Sequence, residues 1–157
     1  LDLNINKKII QKTLPKLSFE GRFQYLNKGN IKNKLQKNET IMIDGAHAVA
    51  DAKNLAGYLK TIKTPKYGIW AMTKNKEPDL FIKQLKGVFK KIVTMPIENE
   101  VSSVSAQKLY KIATKNKFNA EKSDNFTEAL KKISSAEKKL IVCFGSLYNC
   151  GSILNKN

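Results

Sequence analysis

Five side chains of this 157-residue chain have types and positions suited to chemistry on anions: Arg22, Asp44, His47, Lys76 and Ser146. Arg22 is the only arginine among 29 basic residues; every other one is lysine. A guanidinium fork grips a phosphate or carboxylate through two parallel N–H donors, which an ammonium cannot do. One arginine in a lysine-rich chain therefore points to a need for that fork, and a chance surface position explains it equally well. Asp44 closes the apolar run Ile41-Met42-Ile43 and is followed by Gly45, Ala46 and the only histidine, His47. An acid at a strand end accepts hydrogen bonds from ribose hydroxyls in dinucleotide sites; aspartate is also a common turn or cap residue. His47 suits stacking on a base or contact with a phosphate, and an ordinary turn as well. Gly145-Ser146 ends a second apolar run, LIVCF, just before a helical pattern. Backbone N–H groups and a hydroxyl at such a helix start suit a carboxylate or phosphate, while a tight turn with a serine cap accounts for the same pair. Lys74 and Lys76 have the reach to meet an anion, although lysine is common everywhere in this sequence.

Other chemistries are excluded by what is missing. There is one histidine, and Cys143 and Cys150 lie 96 and 103 residues beyond it, so no zinc-ligand spacing exists. The chain holds no GxxxxGK[ST], no GxGxxG and no nucleophile elbow. The net charge of +16 is carried by lysines spread over the whole length. A nucleic-acid surface concentrates arginines among aromatics, so no specific nucleic-acid binding is expected and the lysines read as a solvated face. No apolar run approaches the ~20 residues of a membrane span, and no signal peptide with a cleavage site is visible. Two cysteines make no disulfide framework and predict free thiols in a reducing cytosol. The first residue is leucine, and the chain is expected to be a piece of a longer protein.

The elements that must position these residues follow from apolar periodicity. Residues 5–16 predict a helix, the segment around Phe23 and Tyr25 a short strand, and 27–38 a polar turn or hairpin loop. Strands are predicted at 40–43, 67–72, 91–96 and 139–144, with a short extended piece from Phe118. Helices are predicted at 49–62, 78–89, 104–114, 125–133 and 147–154. Short apolar strands each followed by an amphipathic helix are the mark of βα units around a parallel sheet. Ligands of such sheets bind beyond the carboxyl ends of the strands. The loops at 44–47, 73–77 and 145–148 are therefore expected on one edge.

The order GRF at 21–23, IMIDGAH at 41–47 leading into a helix, Asn75-Lys76-Glu77 after a strand, and a last strand into GSLY at 145–148 resembles the C-terminal domain of the Mur ligase superfamily. Within it, the pattern is most similar to the folylpolyglutamate synthase/dihydrofolate synthase family. That family shows a GR motif, a hydrophobic strand into DGAHNP, a DKD-like loop and a final strand into GS(L/F)Y. The resemblance covers roughly residues 8–154. Its two strand-end motifs are specific as a pair and weak singly. Two departures stand out: Ala48-Val49 replaces Asn-Pro, which removes an amide, and Asn75-Lys76-Glu77 lacks one carboxylate of the DKD-like loop.

The resemblance implies a Rossmann-like three-layer α/β domain with a mostly parallel sheet over residues 21–157, with the end of an ATPase domain and a linker in residues 1–20. It implies a cytoplasmic ligase that uses ATP and Mg²⁺ to phosphorylate a substrate carboxylate, after which the amine of L-glutamate attacks the acyl-phosphate. The acceptor would be dihydropteroate or a folate. Arg22 would approach the γ-phosphate or the acyl-phosphate, and Asp44 would bind the ribose or orient the nucleotide. His47 would lie by the adenine or the incoming glutamate, Ser146 would hold the glutamate carboxylate, and Lys76 would contact an anion. The P-loop and the Mg²⁺ ligands of such enzymes lie in an N-terminal ATPase domain, supplied in cis or as a separate chain. This chain alone is accordingly expected not to catalyse the reaction. The alternative is a remnant that keeps the fold and acts as a non-catalytic interaction module.

Overall fold

Apolar segments too short for stable isolated helices and too continuous for a one-sided sheet must be buried on both faces, and that is where they lie. The computed structural model describes Ile9, Lys12 and residues 19–157. Six strands form one sheet: β1 (Gln24–Tyr25), β2 (Glu39–Asp44), β3 (Lys66–Trp70), β4 (Lys91–Thr94), β5 (Ala120–Lys122) and β6 (Lys139–Phe144). Their spatial order is β1-β2-β6-β3-β4-β5, and every pair is parallel except β1 with β2. The helices are α1 (Asn30–Lys34), α2 (Val49–Thr61), α3 (Pro78–Lys83), α4 (Ala106–Lys115), α5 (Phe126–Ile133) and α6 (Leu147–Leu154). The mostly parallel α/β architecture expected from the sequence is the one observed. Apart from Ile9 and Lys12, which are helical, the helix expected over residues 5–16 lies outside the described residues.

Alternation along the strands divides the core in two. Met42, Trp70, Leu140, Val142 and Phe144 face Leu55, Leu59, Phe81, Ile82 and Leu109 of α2, α3 and α4. Ile41, Ile43, Ile69, Ile141 and Cys143 face α5 and α6, meeting Phe126, Leu130, Ile133, Cys150 and Ile153. The central strand β6 is buried throughout. On the first face Trp70, Phe81, Phe89 and Phe144 stack nearly parallel, with Phe144 centroids 6.4 Å from Trp70 and 5.1 Å from Phe89.

Two segments differ from their periodicity. Residues 27–38, read as a loop, contain α1 with Ile31 buried in the second core. The cause is remote in sequence: Asn157 caps this helix, its carbonyl accepting from Asn30 N (2.7 Å) and its side-chain oxygen from Ile31 N (3.1 Å). The helix expected to run to Phe89 ends its regular hydrogen bonding at Lys83 and continues as turns through Gly87, whose φ is +75°.

At the amino edge of the sheet, register places Glu39 beside Lys139, and both side chains are fully buried. Their charged atoms are 3.9 Å apart. Lys139 Nζ also donates to Ile133 O (2.8 Å) and Ser135 Oγ and lies 4.5 Å from the Tyr67 ring centroid. The Glu39 carboxylate accepts from Gln36 N (3.0 Å), Ser134 Oγ (3.0 Å) and Ser135 N (2.9 Å). Breaking such a network strands a buried charge. Glu39→Ala is expected to lower unfolding free energy by ~3–5 kcal/mol, while a paired apolar replacement of Glu39 and Lys139 recovers most of the loss. Urea unfolding of the single and double variants checks both.

Candidate functional site

The carboxyl ends of five strands lie in one row, because Asp44 pairs with Phe144, Phe144 with Trp70, Trp70 with Thr94, and Thr94 with Lys122. The loops that leave this row carry the polar residues singled out in the sequence.

Asp44 is the deepest of them, 2% exposed. Its Oδ1 accepts from Ala46 N (2.8 Å) within its own loop, and its Oδ2 accepts from Phe23 N (2.9 Å) in the turn that carries Arg22. Gly45 N returns a hydrogen bond to Gly21 O at 2.6 Å. The two motifs, GR and DGAH, are thus stitched together by a carboxylate and a backbone bond. The turn is tight, since Gly21 and Phe23 both have positive φ, +70° and +44°. Phe23 is held in this unusual conformation by Asp44 and by its ring against Tyr58, 4.7 Å between centroids. Burial pushes the Asp44 carboxyl above its usual range, against the pull of the two amide donors and of Arg22.

His47 Nδ1 lies 2.8 Å from Gly45 O. A carbonyl can only accept, so Nδ1 carries a proton, and Nε2 is the nitrogen left to face a ligand. Backbone N–H groups of His47 and Ala48 both donate to Asp51 Oδ2, at 3.2 Å each. Arg22 reaches the same oxygen, 4.0 Å away. Partial burial acts to raise the Asp51 carboxyl, but the two amides and the guanidinium outweigh it and hold it below the usual range.

Ser146 caps α6, its Oγ accepting from Tyr148 N at 3.1 Å. That leaves its O–H free to donate. Gly145 before it has φ +110°, and a Cβ there would meet Ala71 O at 2.3 Å and Trp70 Nε1 at 3.0 Å. Only glycine lets β6 turn so close to the end of β3. His47, Lys76 and Ser146 line a single cavity of about 300 Å³ with Thr73, Asn75, Ser102 and Tyr148. Lys74 points elsewhere, to Val101 O (3.1 Å). Arg22 lies outside this cavity and lines a neighbouring cleft with Phe19, Phe23 and Tyr25. Cys143 and Cys150 are free and buried, and burial pushes the Cys150 thiol up to about 12, so neither supplies a thiolate.

The family of dihydrofolate synthetase C-terminal domains matches residues 27–156. The chain belongs to this family. A search of the curated proteins finds no match. Among solved structures, Escherichia coli FolC in complex with DHPP and ADP superposes with a TM-score of 0.76 at 18% identity, covering 98% of this chain and 35% of that one. Mycobacterium tuberculosis folylpolyglutamate synthase complexed with ADP and AMPPCP gives a TM-score of 0.78 at 17% identity, covering 97% and 35%. The bifunctional folylpolyglutamate synthase/dihydrofolate synthase of Yersinia pestis, complexed with AMPPNP and Mn, gives 0.77 at 17% identity, covering 98% and 35%. The chain therefore spans about one third of the length of these proteins and shares their fold over that third. The dihydrofolate synthetase C-terminal domain is here a six-stranded sheet with its polar loops on one edge. No helix among the described residues is long and apolar enough to cross a membrane.

Sequence reasoning missed Asp51, Thr73, Ser102 and Tyr148. Tyr148 was within reach, as the last letter of GSLY. Asp51 had a signal in its place at the third helical position, where an acid reaches back to free amides. Thr73 opens the 73–77 loop that the sequence places on this edge, whereas Ser102 had no signal, because an isolated antiparallel bridge between Thr73 and Ser103 brings its loop there.

Two outcomes follow from this geometry. Gly145→Ala is expected to cost about 2–4 kcal/mol, because it meets a backbone carbonyl at a positive φ. Gly57→Ala, in open space on α2, is expected to gain about 0.5–1 kcal/mol. Thermal unfolding of the two variants compares them. An acid with a raised pKa in the folded chain binds its proton more tightly there than when unfolded, so Asp44 contributes most to stability in acid and less as pH rises above 3.8. The stability of the native chain relative to Asp44→Asn is accordingly expected to increase as pH falls from about 7 toward about 4; denaturant titrations across that range measure it.

Proposed function

We propose that this chain is the glutamate- and nucleotide-facing domain of an ATP-dependent amide ligase that adds L-glutamate to dihydropteroate or a folate. The observation that carries the reading is the convergence of His47, Lys76 and Ser146 on one cavity at the carboxyl edge, in a chain of the dihydrofolate synthetase C-terminal family. A similar structure, also a bifunctional folylpolyglutamate synthase/dihydrofolate synthase, has Mn, AMPPNP and L-glutamate bound. In this reading the Lys76 ammonium and the free Ser146 O–H hold a glutamate carboxylate. With its ring neutral, His47 accepts a hydrogen bond from the amine at Nε2 and takes up its proton as the nitrogen attacks the acyl carbon, the C–N bond forming as the acyl C–O bond breaks and phosphate leaves. Arg22, with its two-pronged donor, neutralises charge on the phosphoryl group of the activated acid. Asp44 acts from beneath, orienting the loop that faces the nucleotide while its own oxygens stay on backbone amides.

Activation of the acid is ATP chemistry. Among the described residues no group of three His, Cys, Asp or Glu side chains could hold a metal ion. The P-loop and the metal ligands belong to an ATPase domain, in the same polypeptide or a partner chain, with residues 1–20 as its last part and the linker. Without it the chain is not competent. The reducing cytosol suits its two free, buried thiols.

Titration of the chain with L-glutamate, followed by calorimetry and by the amide signals of His47 and Tyr148, tests the reading. Millimolar affinity is expected for half of a site. Lys76→Ala and Ser146→Ala should each weaken it about tenfold, the loss of one charge-assisted hydrogen bond of ~1.5 kcal/mol. Unmoved signals at saturating glutamate, with no ligase activity on mixing with an ATPase half, would leave only a fold kept for interaction.

A further inference from the structure

The first turn of α2 lacks the residue that normally secures it. Its cap position is Ala48, whose side chain offers no acceptor. The cap side chains of α4, α5 and α6, which are Ser105, Asn125 and Ser146, each accept a backbone N–H. At α2 no cap side chain accepts from the first helical amides; what is present is the other half of a capping box, in which Asp51 Oδ2 accepts from the amides of His47 and Ala48 that precede the helix. The same oxygen faces the Arg22 guanidinium. Arg22 comes from the opposite side of the loop, through a turn whose backbone is fixed to Gly45 and Asp44. One carboxylate oxygen is therefore hydrogen-bonded to the backbone that aims His47 and lies 4.0 Å from the guanidinium of the only arginine.

We propose that Asp51 is a positioning residue, which fixes the His47 backbone through its hydrogen bonds and holds the Arg22 side chain at the start of α2 through its charge. The inference rests on the ligase reading for what the two residues do, but not for where they are held. The helix needs only an acceptor at this place; the arginine needs a negative charge. The two parts of the role separate in the Asp51→Asn variant, whose amide oxygen still accepts from the backbone and whose charge is gone. Asp51 is about a third exposed and belongs to neither hydrophobic core.

The chain has one arginine and one histidine, so each side chain gives a single set of nitrogen resonances without ambiguity. The experiment compares the full chain with Asp51→Asn, Asp51→Ala and Asp51→Glu by nitrogen-detected NMR, in the absence of any ligand. In Asp51→Asn the Arg22 guanidinium resonances are expected to move to the position of a free arginine, while the His47 amide stays in place. Asp51→Ala should shift both, and Asp51→Glu should return the Arg22 resonances toward their native position. Arg22 resonances that are the same in all four proteins would overturn the proposal and leave Asp51 a helix cap. A His47 amide displaced as far by asparagine as by alanine would overturn it too, because the backbone and charge roles would not be separable. Since no ligand is present, a chain that binds no glutamate still gives a decisive result, and glutamate binding with an unmoved Arg22 sinks this inference alone.

Discussion

The site hangs on the carboxylate of Asp44. Strand β1 is two residues long and pairs with β2 at only Gln24–Ile43 and Tyr25–Met42, far too little to seat a strand by ladder bonds alone. What seats it besides Leu26 N on Ile41 O is the pair of bonds from Phe23 N to Asp44 and from Gly45 N to Gly21 O, backed by the Tyr25–Tyr58 hydroxyl contact at 3.1 Å. Asp44 in turn can do this only because β2 ends level with β6 and its oxygens meet two otherwise unsatisfied amides. A buried acceptor left without donors, or donors left without it, costs several times what one exposed hydrogen bond contributes. The position of Arg22 is therefore set by an acid that itself stays out of solvent.

The opposite end of the sheet makes that alignment possible. Glu39 and Lys139 face each other at the first rung of the β2–β6 pair, and Asp44 and Phe144 at the last. A slip of one residue would exchange the side chains of β2 between two differently shaped cores and would also separate the buried charges from each other and from the Ser134–Ser135 donors. Such pairs contribute little net stability, but the penalty for mispairing them is large. The amino edge fixes register with closed, fully partnered charges, and the carboxyl edge uses that register to present partly open ones.

Much of this was legible in the sequence. Runs such as IMI and LIVCF, followed by helical spacing, place the strands, the two faces and the loops that share an edge, because burial on both sides demands continuous apolar residues. What was not legible depends on contacts distant in sequence. Helix α1 needs Asn157 to cap it, and no local pattern in NKGNIKNKLQKN announces that. The spatial place of β6 between β2 and β3 decides that Ser146 joins His47 and Lys76 in one cavity, while Arg22, closer to His47 in sequence, opens on the neighbouring cleft. Proximity in the chain is a poor guide here because β1, beside Arg22, lies at the outer edge of the sheet, while β6 inserts between β2 and β3.

The alanine at position 48 bears on whether the site is kept or decaying. Loss of a capping side chain at the mouth of a site would be expected to let the first helical turn fray, and with it the loop it anchors. Here the turn is intact. The free amides of His47 and Ala48 are satisfied by a carboxylate one turn further in, at the position from which acids reach back in a capping box. His47 Nδ1 remains on Gly45 O, so the ring is aimed by the loop and not by the missing amide. The change at 48 reads as a substitution absorbed by the geometry around it.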